Sequence, residues 1–498
     1  MYRQLRTLLV SFFVLTLCSL GYAQNAQIQG QITDSSGAVI SRASVRVVDQ
    51  RTGTERQTET DSRGQYSVPA LNPSLYKILV QAPGFSVSIS NEITLNVAQV
   101  AVLDFKLQIG AASSEVVVNS GDLSVNTTDA TVSTVVDRQF VENLPLNGRT
   151  FQSLISLAPG VVTTPTPVAG EQGQFSVAGQ RAGSNNFSLD GVSVNFGVAV
   201  GNYFAQNSNG ALPAFSALGT TAGLVLVDSL QEFRLESSTY APEYGRQSGA
   251  QIELVTRSGT NAFHGLVFEY LRNDALDAND WFADNTGQAR PREHQNDFGG
   301  VLGGPIRKDK TFFFFSYEGL RVRNPLFQVS EVPSLAARAN AAPSTMPIVN
   351  AFPLPNGPET SPDLAQLAIA APNRSSLDAF SIRIDHTLNS KLNLFGRYAH
   401  SPSTVEEAYS GYPGNNPYTT NVNIDTGTLG VTALLTPAIT NDFRFNYSRA
   451  QGGQCQTFTD FGGAIPPTSS QILAPWQTPE TGGVFYDIAN GLDRKSVV

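Results

Sequence analysis

Cysteine is almost absent. The chain of 498 residues holds two, Cys18 and Cys455, and Cys18 lies in a segment expected to be cleaved off. Cys455 then has no partner, so neither a disulfide framework nor a cysteine-based metal site is expected. Histidine is equally scarce: His264, His294, His386 and His400 are scattered without ligand spacing and read as isolated polar residues on strands or loops. Basic charge is not in excess. A net charge of −9 and an isoelectric point near 5.1 argue against nucleic acid as a partner. Beyond the N-terminus there is no apolar run long enough for a spanning helix. A membrane role would have to come through strands, because only helices and closed barrels satisfy their backbone groups in lipid. Nucleophile elbow, zinc pattern and phosphate loop with Lys-Ser/Thr are missing too, so no enzyme activity, metal or cofactor is expected.

What is present starts with an export signal. Arg3 and Arg6 precede the apolar run from Leu8 to Leu20, and Gly21 and Ala23 occupy small-residue cleavage positions. The run is too short and wrongly flanked to span a membrane. Residues 1–23 are therefore expected to be a signal peptide. Leu17 before Cys18 is not small, which speaks against a lipoprotein site.

Residues 26–108 predict a small β-sandwich. Ala43, Val45 and Val47 alternate with Ser44, Arg46 and Val48, and turn residues recur at Asp34-Ser35-Ser36-Gly37, Arg51-Thr52-Gly53 and Asp61-Ser62-Arg63-Gly64. The stretch GQITDSSGAVISRASVRV, continued by TETDSRGQYSVPALNPSLYKILVQAPGF, resembles the carboxypeptidase regulatory-like domain, which is similar to prealbumin and to starch-binding folds. Some relatives bind sugars. Here Tyr66, Tyr76 and Phe85 are read as core, and the domain as a structural spacer.

Across the small joint Gly110-Ala111-Ala112 comes SSEVVVN. Two readings of Glu115, Val116, Val117 and Val118 stay open. They form the first strand of the next domain, or a strand that adds itself to a partner's sheet edge. Short helices are expected at 137–144 and 150–157, ended by Pro145 with Gly148 and by Pro159-Gly160. A Gly-, Ala-, Asn- and Ser-rich insert at 194–223 reads as an exposed loop.

Four stretches in this order, VDRQFVENLPLNGRTFQSLISLAPGV, FSVAGQRAGSNNFSLDGVSVN, VDSLQEFRLESSTYAPEYGRQSGAQIELVTRSGTNAFHG and GGVLGGPIRKDKTFFFFSYEGLR, resemble the TonB-dependent outer-membrane receptors, in particular their Oar-like branch. The resemblance implies a mainly β chain. After the prealbumin-like sandwich an α+β plug spans 113–258, and an incomplete transmembrane antiparallel barrel follows at 259–492. It implies an outer-membrane location with the sandwich in the periplasm. The implied partners are an energy-transducing TonB-type protein, outer-membrane lipid and a ligand that is an iron chelate, an oligosaccharide or a peptide. Glu115 to Val118 become the candidate TonB-contact strand. Arg149, Arg181, Arg246 and Arg257 become candidate contacts from plug to carboxylates of the barrel wall. A surface or adhesion protein that binds through its sandwich is the alternative.

The strands themselves alternate. Phe380, Ile382 and Ile384 face one way, and Ser381, Arg383 and Asp385 the other. Leu429, Val431, Ala433 and Leu435 make a further face, and Phe443, Phe445 and Tyr447 another. Such two-faced strands fit a barrel with an apolar exterior or a soluble sandwich with one wet face. Phe312 to Phe315 is apolar on both faces and expected to touch plug and lipid together. Residues 274–297 and 325–379 read as long loops. A family barrel has about 22 strands, and far fewer fit here. The last six residues, Asp493 to Val498, back-translate into a sequencing adapter running into a stop codon and are expected to be non-native. A genuine short variant is the alternative.

Overall fold

The computed structural model describes residues 25–110, 115–118, 132–138, 141, 151–163, 175–197, 216–218, 223–238, 240, 245, 247–279, 281–285, 287, 290, 292–371, 373–408, 413–436, 439–473, 485–486 and 495–496. The expected signal peptide lies outside them, as do Phe140 and Leu144 of the first expected helix.

The sandwich comes first. Its strands are β1 (Ala26–Asp34), β2 (Ser44–Asp49), β3 (Glu55–Glu59), β4 (Gln65–Leu71), β5 (Ser74–Gln81), β6 (Val87–Ser90), β7 (Ile93–Leu95), β8 (Val100–Val102) and β9 (Phe105–Leu107). One sheet runs β4-β1-β8, with β9 also on β1. The other runs β6-β5-β2-β3, with β7 on β5. Alternation drives the assembly: Ile28, Ile32, Val45, Val47, Ile78 and Val80 are completely buried between the sheets. The turns follow from local chemistry. Asp34 Oδ1 accepts from the amides of Ser36 and Ala38 at 2.8 and 2.9 Å, and Asp61 Oδ1 from those of Arg63 and Gln65 at 2.8 and 2.9 Å. Tyr66 and Tyr76 are core residues, as expected, with their hydroxyls donating to the carbonyls of Leu103 and Asn72.

A tenth strand belongs to this unit. Strand β10 (Glu115–Val118) pairs in parallel with β6, Glu115 opposite Val87 and Val118 opposite Ser90, and forms one edge of the second sheet. Of the two readings of this segment, the first strand of the following domain is replaced by an added strand on the sandwich.

The inner unit contains β11 (Val132–Val136), a helix at Phe151–Ile155, β12 (Val161–Thr163), β13 (Phe175–Val177), β14 (Asn186–Leu189), β15 (Val192–Ser193), β16 (Leu230–Ser238) and β17 (Gln251–Thr256). Five of these strands make one sheet in the order β11-β16-β17-β14-β15. Phe151, Phe187 and Phe233 fill its core, with the rings of Phe151 and Phe233 edge-on at 5.0 Å. Within the glycine-rich insert, Val194, Ala217 and Leu218 are buried in this core. Apolar side chains thus anchor a stretch whose small residues alone suggested an exposed loop.

The third unit is a meander of seven antiparallel strands in one sheet: β18 (His264–Asn273), β19 (His294–Arg307), β20 (Thr311–Arg323), β23 (Arg374–Asn389), β24 (Leu392–Glu407), β25 (Tyr418–Thr436) and β26 (Ile439–Gln456). Between β20 and β23 a hairpin of β21 (Leu326–Pro333) and β22 (Leu364–Ala371) stands apart. Short turns at 308–310 and 390–391 mark one end of the sheet, and long connections the other. The expected loops were drawn too wide: 294–297 and 374–379 belong to β19 and β23, because polar residues there sit in regular strand register. Among the described residues β18 and β26 do not pair, so the sheet is an open wall.

That wall wraps the inner unit. Leu377, Ala379, Val405, Val422 and Ile424 project inward and join the inner core. Outward, Ile382, Ile384, Leu429, Phe443, Phe445 and Tyr447 are exposed. The run at 312–315 divides as expected between the faces, with Phe312 and Phe314 buried inside and Phe315 exposed outside.

Candidate functional site

The seam between the inner unit and the wall centres on one carboxylate. Strands β14 and β15 are joined by the two-residue turn Asp190-Gly191, with φ of 51° and 83°. Asp-Gly is the pair that a tight hairpin of this handedness selects. The turn puts the Asp190 side chain at the hairpin tip, and its amide is fixed by the Leu254 carbonyl at 3.0 Å. The carboxylate accepts from the Thr256 amide at 3.0 Å and the Thr256 hydroxyl at 2.9 Å.

Two arginines of the wall complete the group. Arg383 Nη1 lies 3.0 Å from Asp190 Oδ1, and Arg397 Nε lies 3.1 Å from Asp190 Oδ2. The Arg397 contact is coulombic, because its Nε is not aligned for a hydrogen bond; its Nη1 donates to the Leu224 carbonyl at 3.3 Å. Arg383 Nη2 also meets Asp385 at 2.9 Å. The side chains of Asp190 and Arg397 are 2% and 0% exposed, so water does not screen them. The guanidiniums of Arg383 and Arg444 lie 4.5 and 5.0 Å from the ring centre of Phe395. That ring covers Gly430, its cross-strand partner.

A second seam ties the sandwich to the inner unit. The Val97 amide donates to the Glu232 carboxyl on β16. Arg234 on the same strand donates to the carbonyls of Val97 and Ala98 at 3.3 and 3.2 Å and pairs with Glu236 at 3.0 Å. Burial pushes the Glu232 carboxyl up to about 8, against the opposing effect of the Val97 amide. Further bonds join the sandwich to the short-turn end of the wall. The Asn261 amide donates to the Arg51 carbonyl at 3.0 Å, and the Arg56 guanidinium to the Ser390 carbonyl. A cavity of about 110 Å³ remains where the three units meet, lined among others by Asp49, Arg56, Thr256, Phe312 and Asp385.

The sequence-derived candidates are placed as follows. Arg257 lies in the seam, half-buried, with its guanidinium 5.0 Å from the Phe314 ring centre and donating to the Asp228 carbonyl at 3.3 Å. Arg181 is exposed. Arg149 and Arg246 lie outside the described residues. The Asp190 centre runs the other way round from the expected pairing: here the inner unit supplies the acid and the wall the arginines. The Asp190-Gly191 turn and the polar face shared by Ser381, Arg383 and Asp385 are visible in the sequence, but their pairing is not.

Comparison with known proteins bears on the same units. Residues 255–347 and 339–485 match the outer membrane beta barrel domain, and residues 27–108 the carboxypeptidase regulatory-like domain. The TonB-dependent transporter Oar of Myxococcus xanthus is 27% identical over 312 residues, covering 60% of this chain. The chain is thus similar to a TonB-dependent transporter and carries a stretch that matches an outer membrane beta barrel domain. It spans 27% of the length of that curated relative. Among solved structures, the outer membrane transporter YddB from Escherichia coli matches 64% of this chain and 38% of its own at 12% identity, with a TM-score of 0.43. The siderophore receptor PirA from Acinetobacter baumannii matches 64% and 40% at 12% identity, with a TM-score of 0.42. The match to an outer membrane beta barrel domain makes this a protein of the outer membrane, and the outward apolar residues of its wall are placed to meet lipid.

Proposed function

We propose that the chain supplies the sandwich, the plug and the first wall strands of a transporter. That transporter takes up a ligand too large for a porin, using energy that a TonB-type protein delivers from the inner membrane. The carrying observation is the buried seam at Asp190. A plug held to its wall by ions and hydrogen bonds can release them one by one to water, whereas a wholly apolar seam gives no such exchange. In this reading the inner unit is the plug, the short turns face the periplasm, and the long connections face outward.

Strand β10 remains the proposed TonB contact, supported by its edge position in the sheet. Sugar binding by the sandwich finds no support in Tyr66 and Tyr76, which are core. The ligand belongs to the iron chelates, oligosaccharides or peptides, all of which suit a polar outer surface. The test is uptake of labelled iron chelates, oligosaccharides and peptides by cells carrying the full-length protein. Uptake of one class should vanish both without the TonB-type protein and on deletion of Glu115 to Val118. Uptake that survives loss of the TonB-type protein overturns the transporter reading. Uptake that survives the deletion alone overturns only the choice of contact strand.

A further inference from the structure

Among the described residues the fully sequestered arginines are Arg56, Arg234, Arg338 and Arg397. Three of them have what a buried cation needs. Arg234 pairs with Glu236 at 3.0 Å, Arg397 faces Asp190 at 3.1 Å, and Arg338 donates to the carbonyls of Pro333, Phe352 and Pro353. Arg56 has no such set. Its Nη1 donates to the Ser390 carbonyl, but its Nη2 is sealed from solvent with no acceptor, and no carboxylate pairs with it among the described residues. Burial pulls its pKa down, with only the Tyr76 phenol acting against that. A buried charge is kept when it is paired, and a lone one is the costly case.

Arg56 stands on β3 of the sandwich and lines the cavity of about 110 Å³ where the three units meet. A single water needs about 10–15 Å³ of such space, so a small ion with water around it fits. From the wall, Asn393 of β24 lines the same cavity, and its Oδ1 is also buried without a partner. Exchanging the two ends of that amide turns a donor to the same point. Two carboxylates on the lining are already engaged. Asp385 meets Arg383 at 2.9 Å; Asp49 accepts from the amides of Arg51 and Thr52 at 2.8 and 3.2 Å and from the Ser74 hydroxyl at 3.0 Å. The buried charge left over is that of Arg56. Water satisfies an N–H but balances no charge, and the two carboxylates disfavour a guest of more than one negative charge.

We propose that this cavity binds one compact monoanion, a halide or a small carboxylate, which neutralises Arg56 and fastens the sandwich to the short-turn end of the wall. The junction has its own reporter, the Asn261 amide, which donates to the Arg51 carbonyl. Its hydrogen exchange is followed in the full-length protein at constant ionic strength, with bulky gluconate replaced stepwise by chloride or by formate. An anion that binds only the docked state slows exchange about tenfold when its concentration is about ten times its Kd. Chloride or formate should do this, and phosphate, larger and doubly charged above neutral pH, should not. Arg56→Lys should keep the effect and Arg56→Gln abolish it. Asn393→Asp supplies the negative charge from within, so exchange should be slow without added anion and indifferent to chloride. Bromide should scatter anomalously from the cavity in crystals of the same protein. No slowing by either anion in the unaltered chain, or no bromide in the cavity, overturns the site. Slowing that survives Arg56→Gln is surface screening and overturns it too. Phosphate acting at lower concentration than chloride and formate overturns the choice of a monoanion. Should Arg56→Gln fail to fold, an Asn393→Asp chain that still responds to chloride overturns the site in its place.

Discussion

Asp190 is the residue on which most of the seam between inner unit and wall turns. Its carboxylate faces two wall arginines, both screened from water by packing. Removing one member of a buried ionic group leaves its partners charged and unpaired, at a cost of about 3–5 kcal/mol. Asp190→Asn keeps the shape of the hairpin and removes only the charge. It should lower hydrogen-exchange protection of the β14 and β17 amides by an amount in that range, while the sandwich amides stay unchanged. Gly430 tests packing at the same place. A Cβ there would meet the Phe395 ring at 2.0 Å, and Phe395 is covered by two guanidiniums with little room to retreat. Gly430→Ala should therefore destabilise the wall by about 1–3 kcal/mol, seen as a lower midpoint in thermal unfolding. Neither residue shows its role in sequence. The turn Asp190-Gly191 is readable as a hairpin from two letters, but Arg383 lies 193 positions away. The four arginines proposed from sequence were chosen for charge and family likeness, without a partner position to anchor them.

At the scale of elements, strand β16 links sandwich and inner unit through a carboxyl with a displaced titration. Glu232 has an ordinary value near 4.5 and sits at about 8 in the fold, because burial disfavours its charged form. The folded state thus holds its proton more tightly than the unfolded one. The stability it contributes is complete below about pH 4.5 and is lost as pH rises towards about 8. Asp137 and Glu253 reinforce the upward shift, while Arg234 and the Val97 amide oppose it. Exchange of the Val97 amide, referenced to amides of the sandwich core, should quicken across that window, and Glu232→Gln should flatten the dependence. A pH-independent Val97 amide in the unaltered chain would sink the assignment. Strand β20 offers a second element test. Phe314→Ala opens a cavity beneath Arg257 and should cost about 3–5 kcal/mol, whereas Phe315→Ala on the outer face should leave the seam with the inner unit untouched in denaturant unfolding. That division was legible, since period-two alternation reads directly from Phe312 to Phe315. The parallel pairing of β10 with β6 was not, because a four-residue apolar strand fits many edges and only the assembled sandwich presents one beside it. The hairpin β21–β22 was likewise read as loop, its Ala-rich second strand giving no alternation.

For the whole molecule the decisive property is that one sheet serves two solvents. Its inner face is continuous with the core of the inner unit, while its outer face keeps Ile382, Leu429, Phe445 and Tyr447 exposed. In water such a surface would invite aggregation; in lipid it is the expected state. Sequence alternation alone fitted both solvents, and the match to an outer membrane beta barrel domain separates them. The lipid reading makes a depth-dependent prediction along a single strand. On β25, Leu429 and Asn421 both point outward, but Asn421 lies near the long-loop end and Leu429 towards the middle of the strand. A cation at mid-depth costs about 2–4 kcal/mol, against about 0–1 near the interface. Leu429→Arg should therefore weaken reversible insertion of the full-length protein into phospholipid vesicles strongly, and Asn421→Arg hardly at all. Equal effects at the two depths would mean that this face meets no bilayer, and the exposed band would then have to be covered by protein.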